Sequence, residues 1–124
     1  RVNTLVKSGA LVTYGSDWPV VPTASPWPSL EAMVTRKDPR GGSDLADYPE
    51  EAVDLPTAVR IFTRNGAVVN KVGDSSGTLE RGKDADFVVL DRNLFEIPIA
   101  DVSEVKVLMS VVRGKVLFDK RSAH

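Results

Sequence analysis

Val2-Asn3-Thr4-Leu5-Val6-Lys7-Ser8-Gly9, running straight into Ala10-Leu11-Val12-Thr13-Tyr14-Gly15, is the stretch that decides the fold class. Its first half reads as the last turns of a helix, with Gly9 placed to take the positive φ that follows a helix end. The second half is a short apolar run rich in β-branched residues, which its length and flanks mark as a buried strand. A helix that passes through one glycine into a buried strand is the αβ step of an α/β fold. The strand stops at Gly15-Ser16-Asp17-Trp18-Pro19. A carboxylate just past the C-terminal end of a buried parallel strand is where α/β barrels keep catalytic groups, which makes Asp17 a candidate. The competing reading is an aspartate that only caps a turn.

Outward from this step, Trp18 to Pro28 carries Pro19, Pro22, Pro26 and Pro28 and reads as an extended loop rather than a helix. Ser29 is placed to cap a short amphipathic turn or two bearing Leu30, Met33 and Val34, and Lys37 to Tyr48 is a polar, Gly/Pro-broken surface loop. A second helix starts legibly. Asp54 can cap it, Pro56 falls in the first turn, and Val53 can pack on Ala58. Ala58, Val59, Phe62 and Val69 recur at helical spacing, opposite Arg60 and Arg64, so one helix is expected from Leu55 to Val69. Past Val72-Gly73 the period changes. Phe87–Leu90 reads as a buried strand, and Val105–Val112 with Lys115–Phe118 as two strands joined at Arg113-Gly114. The middle strand is apolar on both faces and is expected to be covered on both. The division falls near Gly73, into an α/β piece over 1–72 and an all-β piece over 73–124.

Composition narrows the chemistry. The chain has 124 residues, no cysteine, a single histidine (His124, the last residue), and 16 basic against 17 acidic side chains. A thiolate nucleophile, a Cys-based zinc site and any site needing two imidazoles are therefore outside its own means. The balanced charge offers no field for nucleic acid or an anionic membrane. No apolar run is long enough to span a bilayer and no targeting segment is visible, so a cytoplasmic location is expected. The start at Arg1, inside an apparent helix, suggests a piece of something longer.

Other motifs have plain competitors. Gly77-Thr78-Leu79-Glu80-Arg81-Gly82-Lys83 has the spacing of a phosphate-binding loop. It precedes a strand instead of following one, and Asp84 stands where Ser or Thr would hold magnesium, so a tight turn is the better reading. Trp18 and Trp27 either line a substrate pocket or pack their loop onto the domain. Asp84/Asp86 and Glu50/Glu51 could act as acid–base couples, but solvated turns and helix starts account for them. His124, as a terminal residue, is expected to be exposed.

Three stretches together resemble the C-terminal part of an amidohydrolase-superfamily enzyme, in the branch of TIM-barrel metal-dependent hydrolases known as amidohydrolase family 3. Gly15-Ser16-Asp17-Trp18-Pro19-Val20 is similar to that branch's last barrel strand and its aspartate. Leu55-Pro56-Thr57-Ala58-Val59-Arg60-Ile61-Phe62-Thr63-Arg64-Asn65-Gly66-Ala67 resembles the helix that follows. Gly77-Thr78-Leu79-Glu80-Arg81-Gly82-Lys83-Asp84-Ala85-Asp86-Phe87-Val88-Val89-Leu90-Asp91 resembles the family's most specific signature, and the Val111–Val116 hairpin also matches.

The resemblance implies a fold: the last strand and helices of a TIM-type barrel, then part of a small β-sandwich in which Lys83 and Asp86 are structural. Such a fold is incomplete on its own. It also implies a chemistry, hydrolysis of non-peptide, amide-like C–N bonds by metal-activated water, with Asp17 at the metal handling the water's proton. The implied cofactor is a divalent metal, zinc first, whose other ligands belong to elements ahead of Arg1. The isolated chain is accordingly expected to bind no catalytic metal tightly and to be inactive. It would pack on an N-terminal part or self-associate through the exposed edges of 105–118. A non-catalytic self-associating module and one half of a split hydrolase are the alternatives.

Overall fold

A computed structural model describes residues 1–122; His124 lies outside the described residues. Helix α1 spans Val2–Lys7 and ends as its sequence foretells. Gly9 takes φ +82°, and the Gly9 and Ala10 N–H groups donate back to Val6 and Leu5, closing a Schellman motif.

The buried strand expected over Ala10–Gly15 does not form. Val12 and Tyr14 are half-buried between exposed Leu11 and Thr13, but no described strand lies beside them. Alternation alone does not make a strand, because each N–H and C=O of a ladder needs a neighbouring backbone.

Helix α2 covers Trp27–Thr35 and thus begins inside the expected proline-rich loop. Its Pro28 sits in the first turn, where the missing N–H costs nothing. Pro26, not Ser29, occupies the N-cap position. After a 3-10 turn at Pro49–Glu51, α3 runs from Leu55 to Phe62 and α4 from Arg64 to Val69. The Asp54 cap is in place, its Oδ1 accepting the Thr57 N–H at 2.8 Å. The single helix expected over Leu55–Val69 is broken at Thr63 (φ −126°, ψ −91°), and Val69 is exposed. The Thr63 hydroxyl bonds the Val59 carbonyl at 2.7 Å, a back-bond that bends helices, and Gly66 weakens the next turn.

Strands β1 (Phe87–Leu90), β2 (Val107–Val112) and β3 (Lys115–Asp119) form one antiparallel sheet in the order β1-β2-β3. Phe87 faces Val111, and Val112 faces Lys115 across the hairpin. Arg113 (φ +49°) and Gly114 (φ +73°) both take the positive φ that a two-residue type I′ turn demands. Two burial expectations fail here. Phe87, Val88 and Val89 of β1 are exposed, and β2 buries only Val111. No second sheet covers this one among the described residues, so the apolar strands keep solvent contact.

The core joins the two ends of the chain. Leu30 of α2, Val53, Ala58 of α3 and Val102 of a 3-10 helix at Ile99–Glu104 pack together, flanked by Trp27, Phe62 and Leu94. Beside them the Glu31 carboxylate, buried at 5% exposure, accepts the Ser103 N–H at 2.8 Å. The architecture is thus mixed helix and antiparallel strand, with the core crossing the division expected near Gly73. Among the described residues no helix is long and apolar enough to cross a membrane.

Candidate functional site

The segment that leads to Asp17 is held by side chains. Asn65, in the first turn of α4, donates its amide to the Val12 carbonyl at 2.7 Å. The Tyr14 ring stacks on Phe62 at 4.1 Å and its hydroxyl donates to Ser29 Oγ at 2.7 Å. The chain then turns. Asp17 takes φ +53°, its carbonyl accepts the Val20 N–H at 2.9 Å, and the Trp18–Pro19 peptide bond is cis. Aspartate is among the few residues that tolerate this left-handed conformation. The Asp17 side chain is exposed, beside a Trp18 that is 61% exposed.

Trp27 sits in a different setting. It is half-buried on α2 and lines an apolar groove of about 470 Å³ with Leu30, Phe62, Val88 and Leu90, between the helices and the sheet. Of the sequence candidates, then, Asp17 and Trp18 share one exposed turn, while Trp27 belongs to the wall of the core.

The remaining candidates hold the fold. Lys83 does not face a ligand: its Nζ donates to the Gly73 carbonyl at 2.7 Å and to Thr78 Oγ1 at 2.8 Å, with Glu80 3.9 Å away. Asp86 accepts the Arg113 N–H at 2.8 Å and the Ser76 hydroxyl at 3.0 Å, bonds that hold its carboxyl below the ordinary range. It thereby ties the hairpin turn to the loop before β1. Asp84 lies 3.9 Å from the Arg113 guanidinium. Glu51 is buried and takes both the hydroxyl and the N–H of Thr4 at the start of α1, which lowers its pKa; Glu50 offers only its carbonyl, to Asn3. Neither acidic pair is arranged as an acid–base couple.

Among the described residues no three His, Cys, Asp or Glu side chains gather closely enough to hold a metal ion. The sequence reading missed Asn65. A signal was present in the spacing, since Phe62, Asn65 and Gly66 follow the i, i+3, i+4 pattern of one helix face and Asn65 interrupts its apolar run.

By fold the chain falls in the class of one solved structure, of which it matches a part. It superposes on the crystal structure of an amidohydrolase from Thermotoga maritima with a TM-score of 0.60 and 24% identity, covering 95% of this chain and 25% of that one. The sequence comparison makes the class a family: the model of the amidohydrolase family matches residues 1–118, and the chain belongs to that family. It is 27% identical over 117 residues to the putative amidohydrolase YtcJ of Bacillus subtilis, covering 94% of this chain and 22% of that protein. It is 31% identical over 119 residues to an N-substituted formamide deformylase of Arthrobacter pascens (96% and 21%). With the protein LONG AFTER FAR-RED 3 of Arabidopsis thaliana the identity is 35% over 115 residues (93% and 19%). The chain spans about a fifth of the length of these relatives.

Proposed function

We propose that this chain is the C-terminal portion of a metal-dependent hydrolase of non-peptide, amide-like C–N bonds, in which Asp17 handles the proton of the attacking water. The observation that carries this is the Asp17 turn, an exposed carboxylate at the end of a tethered segment, inside a region matched by the amidohydrolase family from residue 1 to residue 118. The reading places 1–72 at the end of a TIM-type barrel and 73–124 in a β-sandwich, in a cytoplasmic enzyme.

The step assigned to this chain is a proton transfer. As water adds to the scissile carbonyl, one O–H proton passes to the Asp17 carboxylate and then to the leaving nitrogen, so that the amine departs neutral. A divalent metal, zinc first, would supply polarisation of the carbonyl and acidification of water. The described residues do not fit that metal by themselves, because one carboxylate falls short of the three or four ligands it needs. The other donors are assigned to polypeptide outside this chain, and the 124-residue chain alone is proposed to be inactive.

The test is Asp17→Asn in the complete gene product, assayed by amine release from N-substituted formamides, the class in one relative's name. The expected loss in kcat is about 10²–10⁴-fold, the range a general base contributes. Turnover at the parent's rate would refute the assignment.

One observation favours a second reading, self-association: Leu117 and Phe118 on edge strand β3 are 68% and 44% exposed. Light scattering on the 124-residue chain decides it, a well-dispersed monomer counting against it.

A further inference from the structure

We propose that Asn65 is a positioning residue for Asp17, acting through the backbone of residues 12–17; this rests on the function proposed above. Three observations meet here. The Val12 carbonyl has no backbone partner among the described residues, and the Asn65 amide donates to it at 2.7 Å. Only the nitrogen of that amide can face a carbonyl oxygen, so the contact has one chemically sensible orientation. Second, α4 lies directly on the same segment, since a Cβ added to Gly66 would come within 3.8 Å of Thr13 Oγ1. Third, Tyr14 is clamped from another side by its stack on Phe62 and its bond to Ser29.

The clamp ends three residues before Asp17. Gly15 and Ser16 intervene, and Asp17 then enters its left-handed turn. A shift of the backbone at Val12 is therefore passed to the carboxylate through only a few residues. Proton transfer needs hydrogen-bond reach of the substrate water, and a displacement of about 1 Å can cost about a hundredfold in rate. Asn65 touches no reacting atom; it keeps Asp17 within that reach.

The test uses the complete gene product with N-methylformamide as probe, reading kcat and KM separately, with hydrogen–deuterium exchange over residues 10–18 beside them. Asn65→Asp keeps the shape and exchanges the donor for an acceptor. It should lower kcat about tenfold, the scale of one lost hydrogen bond, and leave KM within about twofold. Exchange over 10–18 should quicken. Asn65→Gln, which retains the amide donor, should recover most of kcat. Tyr14→Phe keeps the stack and removes only the bond to Ser29, and should lower kcat severalfold at constant KM.

Parent-like kcat in Asn65→Asp overturns the proposal, as does a loss that Asn65→Gln leaves unrepaired or a matching rise in KM. Asp17→Ala is measured in parallel. If it turns over, or the parent does not, the proposed function fails, and unchanged exchange over 10–18 in Asn65→Asp then overturns the tether itself.

Discussion

Replacing Gly77 with alanine should be among the most damaging single-methyl changes in the chain. Gly77 stands at φ +90°, and a Cβ there would lie 2.6 Å from Ala67 Cβ and 3.2 Å from Arg64 Cα, both on α4. Neither atom is the far end of a flexible side chain, so the turn or the helix must move. Left-handed backbone costs an L-residue about 1–2 kcal/mol, and overpacking of this kind a further 1–3 kcal/mol. The expected loss is about 2–5 kcal/mol, a large part of an ordinary domain's stability. Gly82 separates the two contributions. It has nearly the same φ (+93°) but nothing within 4 Å of an added Cβ, so Gly82→Ala should lose only about 1–2 kcal/mol. Removing the opposing methyl completes the cycle. Ala67→Gly costs about 1 kcal/mol of helix propensity, yet in the Gly77→Ala background it relieves the 2.6 Å contact. Urea denaturation of the parent, the three single variants and the Gly77→Ala/Ala67→Gly double variant, followed by circular dichroism, should show a favourable coupling of about 1–3 kcal/mol between positions 67 and 77. If Gly77→Ala is no worse than Gly82→Ala, or the coupling is absent, the close packing of this turn on α4 is refuted.

Two further outcomes follow from the carboxylates. The Asp54 carboxyl is held low by hydrogen bonds from Thr57, that of Asp86 by the Arg113 N–H and the Ser76 hydroxyl, and that of Glu51 by Thr4. Each folded pKa lies below its unfolded value, so the stability these groups add is complete above about pH 4–5 and is lost as pH falls through the folded values. A urea midpoint that stayed flat well below pH 4 would contradict the sign. Asp86→Ala should expose the Arg113 N–H and speed its hydrogen exchange, while Asp84→Ala, which removes only a 3.9 Å contact to an exposed guanidinium, should leave it unchanged. Equal exchange in the two variants would show that Asp86 does not hold the hairpin turn.

What could be read from the residues was what their near neighbours decide. The Asp54 cap, Pro56 in the first turn and the Arg113-Gly114 turn are each settled within about four residues, and each stands where the pattern put it. Gly9 is a case of the same kind. The failures share the opposite property. Ala10–Tyr14 has the composition of a strand, but pairing is a property of whatever lies beside it. Phe87–Val89 has the apolar run of a buried strand, and burial likewise depends on a covering layer. The four prolines of Trp18–Pro28 read as one extended loop that takes in Trp27, although Pro28 falls at the second position of a helix, which needs no N–H. Glu31 and Glu51 resemble solvated charges in sequence; they are buried, and their partners, Ser103 and Thr4, are 72 and 47 residues away.

The same distinction explains why Asp17 could be singled out while a site could not be assembled around it. A carboxylate on a Gly-Ser-Asp-Trp-Pro turn is a local pattern, whereas a ligand set is a convergence of distant segments, and no second donor cluster joins Asp17 among the described residues. What the described residues do supply is a set of contacts that hold the segment before Asp17. Phe62, Asn65 and Gly66 keep one helical face turned toward residues 12–14 despite the break at Thr63. On that face an aromatic ring meets Tyr14, an amide meets a bare carbonyl, and a Cβ added to Gly66 would sit at ordinary contact distance from the Thr13 hydroxyl. An unbroken apolar face would have served a core equally well; it would have left the Val12 carbonyl without a partner. The interruption of the apolar pattern at Asn65 is thus the residue-level trace of the hydrogen bond that holds the Val12 carbonyl.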